Sequence, residues 1–341
     1  MPIRWGIIGA GNYASIVTAL ALTSADNTEL AAVCDVNTEL TKELAAKHGV
    51  ERTYDSVEKI LKDPELGAVY IATPHSLHAQ HTIQAAEAGK HVLCEKPMAL
   101  SVSDAEQMVE ACNKNKVKLG VSFPERYQPV HIEARRYAQS GAAGNIDVVQ
   151  AQFCRGRSRR AWRGWRSDPN IGGAGALYAT AIHIIDLLRF LLNSEVEEVQ
   201  ALTDAEPPRY PIEDMVYAIV KFENGTHGTV FAGMLAPRLD NNVVLYGSKA
   251  KITCGDTIWG PRLDNLGELL VDGDSVNLRM VFPTDSPLPF RMIRSIEAFN
   301  RWIEDNTEPY ISGSNGLQMV KIANAILESS RHGKAVTIKR A

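Results

Sequence analysis

The spacing of hydrophobic residues changes partway along this chain. Ile3 to Ile8 is an apolar, largely β-branched run that breaks into Gly9-Ala10-Gly11-Asn12-Tyr13-Ala14. That spacing predicts a strand, a helix to about Leu22, and a second strand over Glu29-Leu30-Ala31-Ala32-Val33-Cys34 ending at Asp35. Ala68 to Ala72 reads as a buried strand stopped by Thr73-Pro74, and Ser76 to Ala88 as a helix closed by Gly89. Strand, helix and strand then follow over His91 to Cys94, Ser101 to Asn113 and Val117 to Val121. Strands alternating with helices build a parallel, doubly wound sheet.

Beyond Val121 the pattern is different. Tyr127 to Gln139 reads as one more helix and Ile146 to Phe153 as a half-exposed strand. Strand-like runs follow at Val199 to Leu202, Met215 to Phe222, Thr226 to Leu235, Asn242 to Tyr246 and Lys251 to Cys254. Asn224-Gly225 between two of them is a hairpin signal, so this sheet is expected to be mostly antiparallel. Ser295 to Asp305 and Gly316 to Arg331 read as amphipathic helices. The expected fold is α/β in two domains. Residues 1–122 form a nucleotide-binding Rossmann domain with a doubly wound parallel sheet. Residues 123–341 form a substrate-binding and oligomerisation domain with a large, mostly antiparallel open sheet, its C-terminal helix packing back on the first domain.

Bulk properties narrow the class. A chain of 341 residues is long for one core, which agrees with two domains. Its net charge of −4 argues against wholesale nucleic-acid binding. No apolar run approaches the roughly 20 residues that span a bilayer, so no membrane is expected. Met1-Pro2-Ile3-Arg4-Trp5 enters a strand at once and resembles no signal peptide. Cys34, Cys94, Cys112, Cys154 and Cys254 are scattered without a Cys-x-x-Cys, which fits a reduced, cytoplasmic protein.

The candidate chemistry begins at the first turn. Gly9-x-Gly11-x-x-Ala14 follows a strand and opens a helix, with Asp35 some twenty residues on. Glycines there allow a tight turn and close approach of a pyrophosphate to amides at a helix N-terminus, where the dipole favours negative charge. Gly9, Gly11, Asn12, Tyr13 and Ala14 are therefore candidate cofactor contacts. A carboxylate at Asp35 accepts hydrogen bonds from both ribose hydroxyls and repels a 2′-phosphate. Val36-Asn37-Thr38 brings no arginine, so NAD is expected over NADP. The plainer reading of Asp35 is an acid before a helix, with Thr38 able to cap that helix.

Glu95-Lys96-Pro97 closes another buried strand of the same half, where ligands of an open parallel sheet bind. Lys96 projects an amine toward that crevice, and Pro97 restricts Lys96 to an extended conformation. Thr73, Pro74, His75 and His78 are placed at the same crevice. His75, His78 and His81 share a helix face only loosely and have no carboxylate or thiol at useful spacing, so no metal is expected.

Farther on, Arg155, Arg157, Arg159, Arg160, Arg163 and Arg166 interleave with Trp162 and Trp165. The segment reads either as a solvated loop or as arginine forks for cofactor phosphates or an anionic substrate. The glycine-rich Gly172 to Gly175 leads into an apolar helix carrying His183 and Asp186 at i, i+3. Such a His and Asp make a structural pair more often than a catalytic one.

Together these motifs resemble the Gfo/Idh/MocA family of oxidoreductases over nearly the whole chain. The specific points are Gly9-Ala10-Gly11, Ala72-Thr73-Pro74, Glu95-Lys96-Pro97, Trp165-Arg166 before Asp168-Pro169, the glycine-rich turn, His183 and Asn315-Gly316-Leu317. The resemblance implies oxidation of a sugar or cyclitol hydroxyl, or reduction of the matching carbonyl, with NAD(P). It implies Lys96 at the reacting oxygen, His183 as its partner, and a homodimer or homotetramer assembled through the open sheet. Glu95, Trp165 and Arg166 join the cofactor contacts, and Arg157, Tyr178 and Ala179 join Lys96 and His183 around the substrate. Family members usually carry Asp-x-x-x-His on that helix, and here the Asp position is Ala179. Without that acid, His183 is expected to accept the proton while Lys96 donates to the hydroxyl. Two other readings remain open: an enzyme that keeps NAD bound and cleaves a glycosidic bond through transient oxidation, and a non-catalytic NAD-binding regulator.

Overall fold

Apolar residues on both faces of a strand demand cover on both sides, and the N-terminal half supplies it. β1 (Ile3–Ile8), β2 (Thr28–Cys34), β3 (Arg52–Tyr54), β4 (Ala68–Ile71), β5 (His91–Cys94) and β6 (Leu119–Val121) form a six-stranded parallel sheet in the order β3-β2-β1-β4-β5-β6. Trp5, Ile7, Tyr70, Val92 and Leu93 are fully buried within it, as expected of parallel strands covered by helices. The chain runs outward from β1 to β3, then crosses over to β4. That reversal opens a crevice at the carboxyl ends of β1 and β4. The computed structural model describes residues 1–236, 238–255, 258, 267–281 and 290–340. It divides into two units, Met1–Pro124 with Leu288–Val320, and Glu125–Pro287 with Lys321–Ala341.

The helices of the first unit start where side chains cap them. Asn37, rather than Thr38, caps the helix Thr38–His48 by accepting the Glu39 N–H at 3.2 Å. Ser101 does the same for Val102–Lys114, accepting the Asp104 N–H at 3.0 Å. The first helix passes through a π-helical turn at Ala14–Thr18 before the regular turns of Ala19–Ser24. β3 and the helix Val57–Leu61 were too short to stand out in the sequence.

A late part of the chain completes this unit. The helix Phe290–Asp305 brings the Phe299 ring to 5.6 Å from the Trp5 ring, and Asn300 Oδ1 accepts the buried indole N–H of Trp5 at 3.2 Å. Asn300 also donates to Thr28 Oγ1 at 2.7 Å. A Cβ on Gly120 would stand 2.9 Å from the Phe299 ring, so only glycine lets that ring lie on β6. Val121 N–H donates to Ile311 O at 2.7 Å, tying the edge strand to the returning segment.

The second unit holds β7 (Ile146–Cys154), β8 (Val196–Thr203), β9 (Met215–Phe222), β10 (His227–Gly233), β11 (Asn242–Gly247), β12 (Lys251–Gly255), β13 (Glu268–Val271), β14 (Asp274–Ser275) and β15 (Val336–Thr337). Their order is β14-β13-β12-β11-β7-β10-β9-β8-β15. Every described pair is antiparallel except β7 with β10. Asn224-Gly225 does turn β9 into β10, with Gly225 at φ +89°. β9 alternates buried and exposed residues, the mark of a sheet covered on one face. The helices Pro129–Gln139 and Ile182–Leu192 pack together, and the second of them lies against β7.

Asn300→Ala leaves the Trp5 indole N–H buried without its acceptor. We expect a loss of about 1–3 kcal/mol, read as a lower urea midpoint with an unchanged slope.

Candidate active site

In the first unit, a single run of contacts joins four strand ends. Gly9 has φ +102°, and a Cβ there would stand 2.7 Å from both Ala72 C and Ala72 O. Gly9 is thus required by the fold, because two backbones meet there. Gly11 differs: a Cβ would meet nothing within 4 Å, so its freedom leaves open space in front of the turn. The helix begins at Asn12, and Ser15 N–H donates to Gly11 O at 3.0 Å. A pyrophosphate fits this arrangement, with room at Gly11 and a helix N-terminus behind it. Tyr13 is half-buried and Ala14 buried at the start of that helix.

Asp35 is already part of the turn. Its Oδ2 accepts the Ala10 N–H at 2.7 Å and its Oδ1 accepts the Asn37 N–H at 2.8 Å. A carboxylate has about four lone-pair sites, so two backbone donors leave capacity for ribose hydroxyls. The Ala10 bond had no signal in the sequence, since a backbone donor is anonymous.

His78 stands elsewhere than expected. It is fully buried, with Nδ1 2.8 Å from Pro97 O and Nε2 2.9 Å from Thr73 O. Rather than lining an open pocket with its ring, it braces the Thr73-Pro74 turn against the Lys96-Pro97 turn. Burial pushes its pKa down to about 4, against the two carbonyls that favour the charged ring. His81 joins the same brace through Nδ1, 3.1 Å from Thr73 Oγ1. His75 is half-buried in a 3₁₀ turn, its ring 5.6 Å from that of His78. Among the described residues no group of three His, Cys, Asp or Glu side chains is arranged to hold a metal.

Glu95 also turns inward. Its Oε1 accepts the Tyr70 hydroxyl and its Oε2 accepts the Lys96 N–H at 3.1 Å. The Tyr70 oxygen lies 3.1 Å from Ser122 Oγ. Burial raises the Glu95 carboxyl above its usual range, although the Lys96 charge and the Tyr70 hydroxyl oppose this. The Glu95 carboxylate therefore shapes the Lys96 turn from behind. Lys96 itself is half-buried, and the Lys96–Pro97 peptide is cis. Tyr70 and Ser122 escaped the sequence reading because each lies in or beside an apolar strand, with no partner nearby in sequence.

The second unit carries the other candidates. Ala176 to Ala181 is the first part of a helix, π-helical over Leu177–Ala181, that continues as Ile182–Leu192. Tyr178 and His183 are buried and Ala179 is half-buried, with His183 at i+4 from Ala179 and hence on the same face. Asp186 serves a different purpose from the His–Asp pair considered above. Its carboxylate receives Arg126 through Nε at 2.8 Å and Nη2 at 2.6 Å, and Arg189 through Nη1 at 3.3 Å. Arg189 in turn donates to Glu195 at 2.6 Å. A helix apolar all round thus keeps its inward charges paired.

Two of the interleaved arginines have acids in front of them. Arg159 Nη1 lies 3.0 Å from Asp204, and Arg160 Nη2 3.1 Å from Glu206. The Arg160 guanidinium also covers the Tyr210 ring at 3.2 Å. Arg166 stacks on Trp165 at 4.0 Å within the turn Gly164–Ser167, and Arg157 is exposed. Sequence reading missed Glu213, which is 2% exposed and accepts the N–H groups of Gly175 and Leu177. A Glu-Asp pair entering an apolar strand was its only signal.

Comparison with known proteins agrees with this geometry. Residues 3–123 match the oxidoreductase family with an NAD-binding Rossmann fold, and residues 131–253 match the Gfo/Idh/MocA C-terminal domain. An uncharacterized oxidoreductase of Rhizobium meliloti is 30% identical over 98% of this chain and 99% of its own. The 1,5-anhydro-D-fructose reductase of Ensifer adhaerens is 26% identical over 98% of each chain. A levoglucosan dehydrogenase solved with NADH and L-sorbose superposes with a TM-score of 0.86 at 26% identity, covering 100% of both chains. The chain belongs to the Gfo/Idh/MocA family of oxidoreductases, with the NAD-binding Rossmann fold in its first unit and the family's C-terminal domain in its second.

Proposed function

We propose that this protein transfers a hydride between NAD(H) and a hydroxyl or carbonyl of a sugar, sugar derivative or cyclitol. The observation that carries the reading is the continuous set of contacts in the first unit. It runs from Asp35 through Gly9 and Thr73 to His78 and the Lys96-Pro97 turn. The glycine turn follows β1 and the titratable amine follows β5, with the end of β4 between them. Relatives that act on an anhydro sugar and on levoglucosan support the substrate class. Arg159 and Arg160 are already balanced by Asp204 and Glu206, which favours a neutral substrate over an anionic one.

Gly9, Gly11, Ala10 and Asp35 would hold the cofactor, which when bound supplies the hydride acceptor or donor. The residues of the chain manage the proton. Loss of hydride from an alcohol carbon requires its hydroxyl proton to leave, and a base near working pH does this best. We assign that role to His183, because Ala179 provides no carboxylate beside it. Lys96, held by the turn that Glu95 and His78 brace, donates to the substrate oxygen and stabilises negative charge on it. Asp35 selects NAD: it offers acceptors to two ribose hydroxyls and repels a 2′-phosphate.

We further assign a homodimer built on the open face of the second sheet. Leu202, Tyr217 and Phe231 stand opposite one another on β8, β9 and β10, and the Tyr217 and Phe231 rings stack at 4.7 Å. Two residues along β9, Ile219 shares that face and is 56% exposed, while Val148 is 50% exposed on β7. Glu198, Lys221 and Lys251 stand on the same face and add charges of both signs. Exposed apolar residues grouped on one sheet face in this way support an interface.

A polyol and sugar panel with NAD and NADP tests the activity, read as absorbance of the reduced cofactor. On the substrate it identifies, Lys96→Ala and His183→Ala should each lower kcat/KM at least about tenfold, and no loss in either removes the acid–base assignment. Asp35→Asn should narrow the NAD preference over NADP by about tenfold or more in a binding titration, and an unchanged ratio refutes the role of Asp35. Ile219→Lys should shift the protein from dimer to monomer in light scattering, whereas a dimer that persists moves the interface elsewhere.

A further inference from the structure

Glu213 lies just before β9, outside every motif that carries the family resemblance. Its Oε1 accepts two backbone N–H groups at once, from Gly175 and from Leu177, each at 2.9 Å. Its own carbonyl accepts the Ala176 N–H between them at 3.0 Å. A Cβ on Gly175 would stand 2.2 Å from Glu213 O, so the glycine admits the two segments to direct contact. Three successive N–H groups at the start of a helix are thereby satisfied by one residue from a neighbouring strand. Such groups have no partner within their own helix. The helix they begin carries Tyr178, Ala179 and His183 within its first two turns.

The neighbouring residue extends the hold. Asp214 Oδ2 accepts the Arg160 N–H at 2.6 Å, and Asp204 Oδ1 accepts the N–H groups of Asp214 and Met215 at 2.8 and 2.9 Å. We propose that Glu213 is a positioning residue, holding the start of the helix that presents Ala179 and His183. This rests on the reading of His183 as proton acceptor.

The groups acting on the carboxyl are few. Asp204 lies beyond the end of β8, Asp214 is adjacent in the chain, and Tyr178 sits on the helix with Arg331 acting on it from the C-terminal helix. Burial is the largest influence and pushes the Glu213 carboxyl up to about 7, with Asp204 adding to the rise and the two N–H donors opposing it. A carboxyl whose folded value exceeds its unfolded one favours the protonated fold. Its stabilisation is complete below the ordinary carboxylate range and is lost as pH rises through about 7.

The test compares the full-length protein with Glu213→Gln, which keeps an oxygen acceptor, and Glu213→Ala, which does not. Amide hydrogen exchange over residues 175–181 should be at least about tenfold faster in the alanine variant and within about threefold of wild type in the glutamine variant. Wild-type protection in the alanine variant overturns the proposal. On an active substrate, Glu213→Ala should lower kcat at least about tenfold while NADH affinity stays within about twofold, and Glu213→Gln should restore most of kcat. An unchanged kcat in Glu213→Ala, or an equal loss of NADH binding, overturns it as well. Between pH 5 and 8 the melting temperature of Glu213→Gln should gain about 3 °C or more on wild type, and a constant difference counts against the buried carboxylate. If wild type turns over no substrate in the panel, the hydride-transfer reading fails, while the exchange rates still decide whether Glu213 holds the helix.

Discussion

Two backbones meet at Gly9 with no room for a side chain, and much of the first unit is arranged around that meeting. The peptide after Ala72 lies where a Cβ of residue 9 would be, so the end of β1 and the end of β4 share a single steric constraint. From Thr73 the contact passes through the buried His78 ring to the carbonyl of Pro97. On the other side it passes through the Ala10 N–H to Asp35. Asp35 and the Lys96-Pro97 turn are therefore linked by short, well-filled contacts. Precision of this kind is what a reacting site needs, because small displacements of reacting groups cost rate.

The second unit reaches the same end by different means. Its helix is apolar on every side, so burial alone would leave its rotation about its own axis weakly determined. Polar groups supply what apolar packing lacks. Asp186 between Arg126 and Arg189 holds the middle, and Glu213 holds the start. Removing Asp186 leaves the buried Arg126 and Arg189 charges short of a partner.

The α/β class, the parallel first sheet and the mostly antiparallel second one were legible in the sequence, because hydrophobic spacing and Asn224-Gly225 report them directly. The positions of the glycine turn, Asp35 and Glu95-Lys96-Pro97 at strand ends were legible too, because each follows its strand directly in the chain. What escaped depends on neighbours in space. His78 has the composition of a pocket residue, and only the facing carbonyls show it to be a brace. Asp186 invites pairing with His183 three residues away, yet its guanidinium partners come from another helix turn and from residue 126. Glu213 stands 36 residues from the Leu177 amide it satisfies, and no local pattern encodes that distance.

The Phe299 ring on Gly120 and the bond from Val121 to Ile311 carry a consequence for how the protein is made. The first unit is discontinuous in the chain: the segment that covers the edge of its sheet is synthesised only after most of the second unit. While the second unit is being translated, β6 stands at the margin of an unfinished core with Trp5 lacking Asn300. Domains usually fold as units during synthesis. Here the nucleotide-binding unit must wait until the intervening residues 125–287 have been made. A ribosome that stops before residue 299 leaves a sheet with an open flank and Trp5 without the Asn300 acceptor.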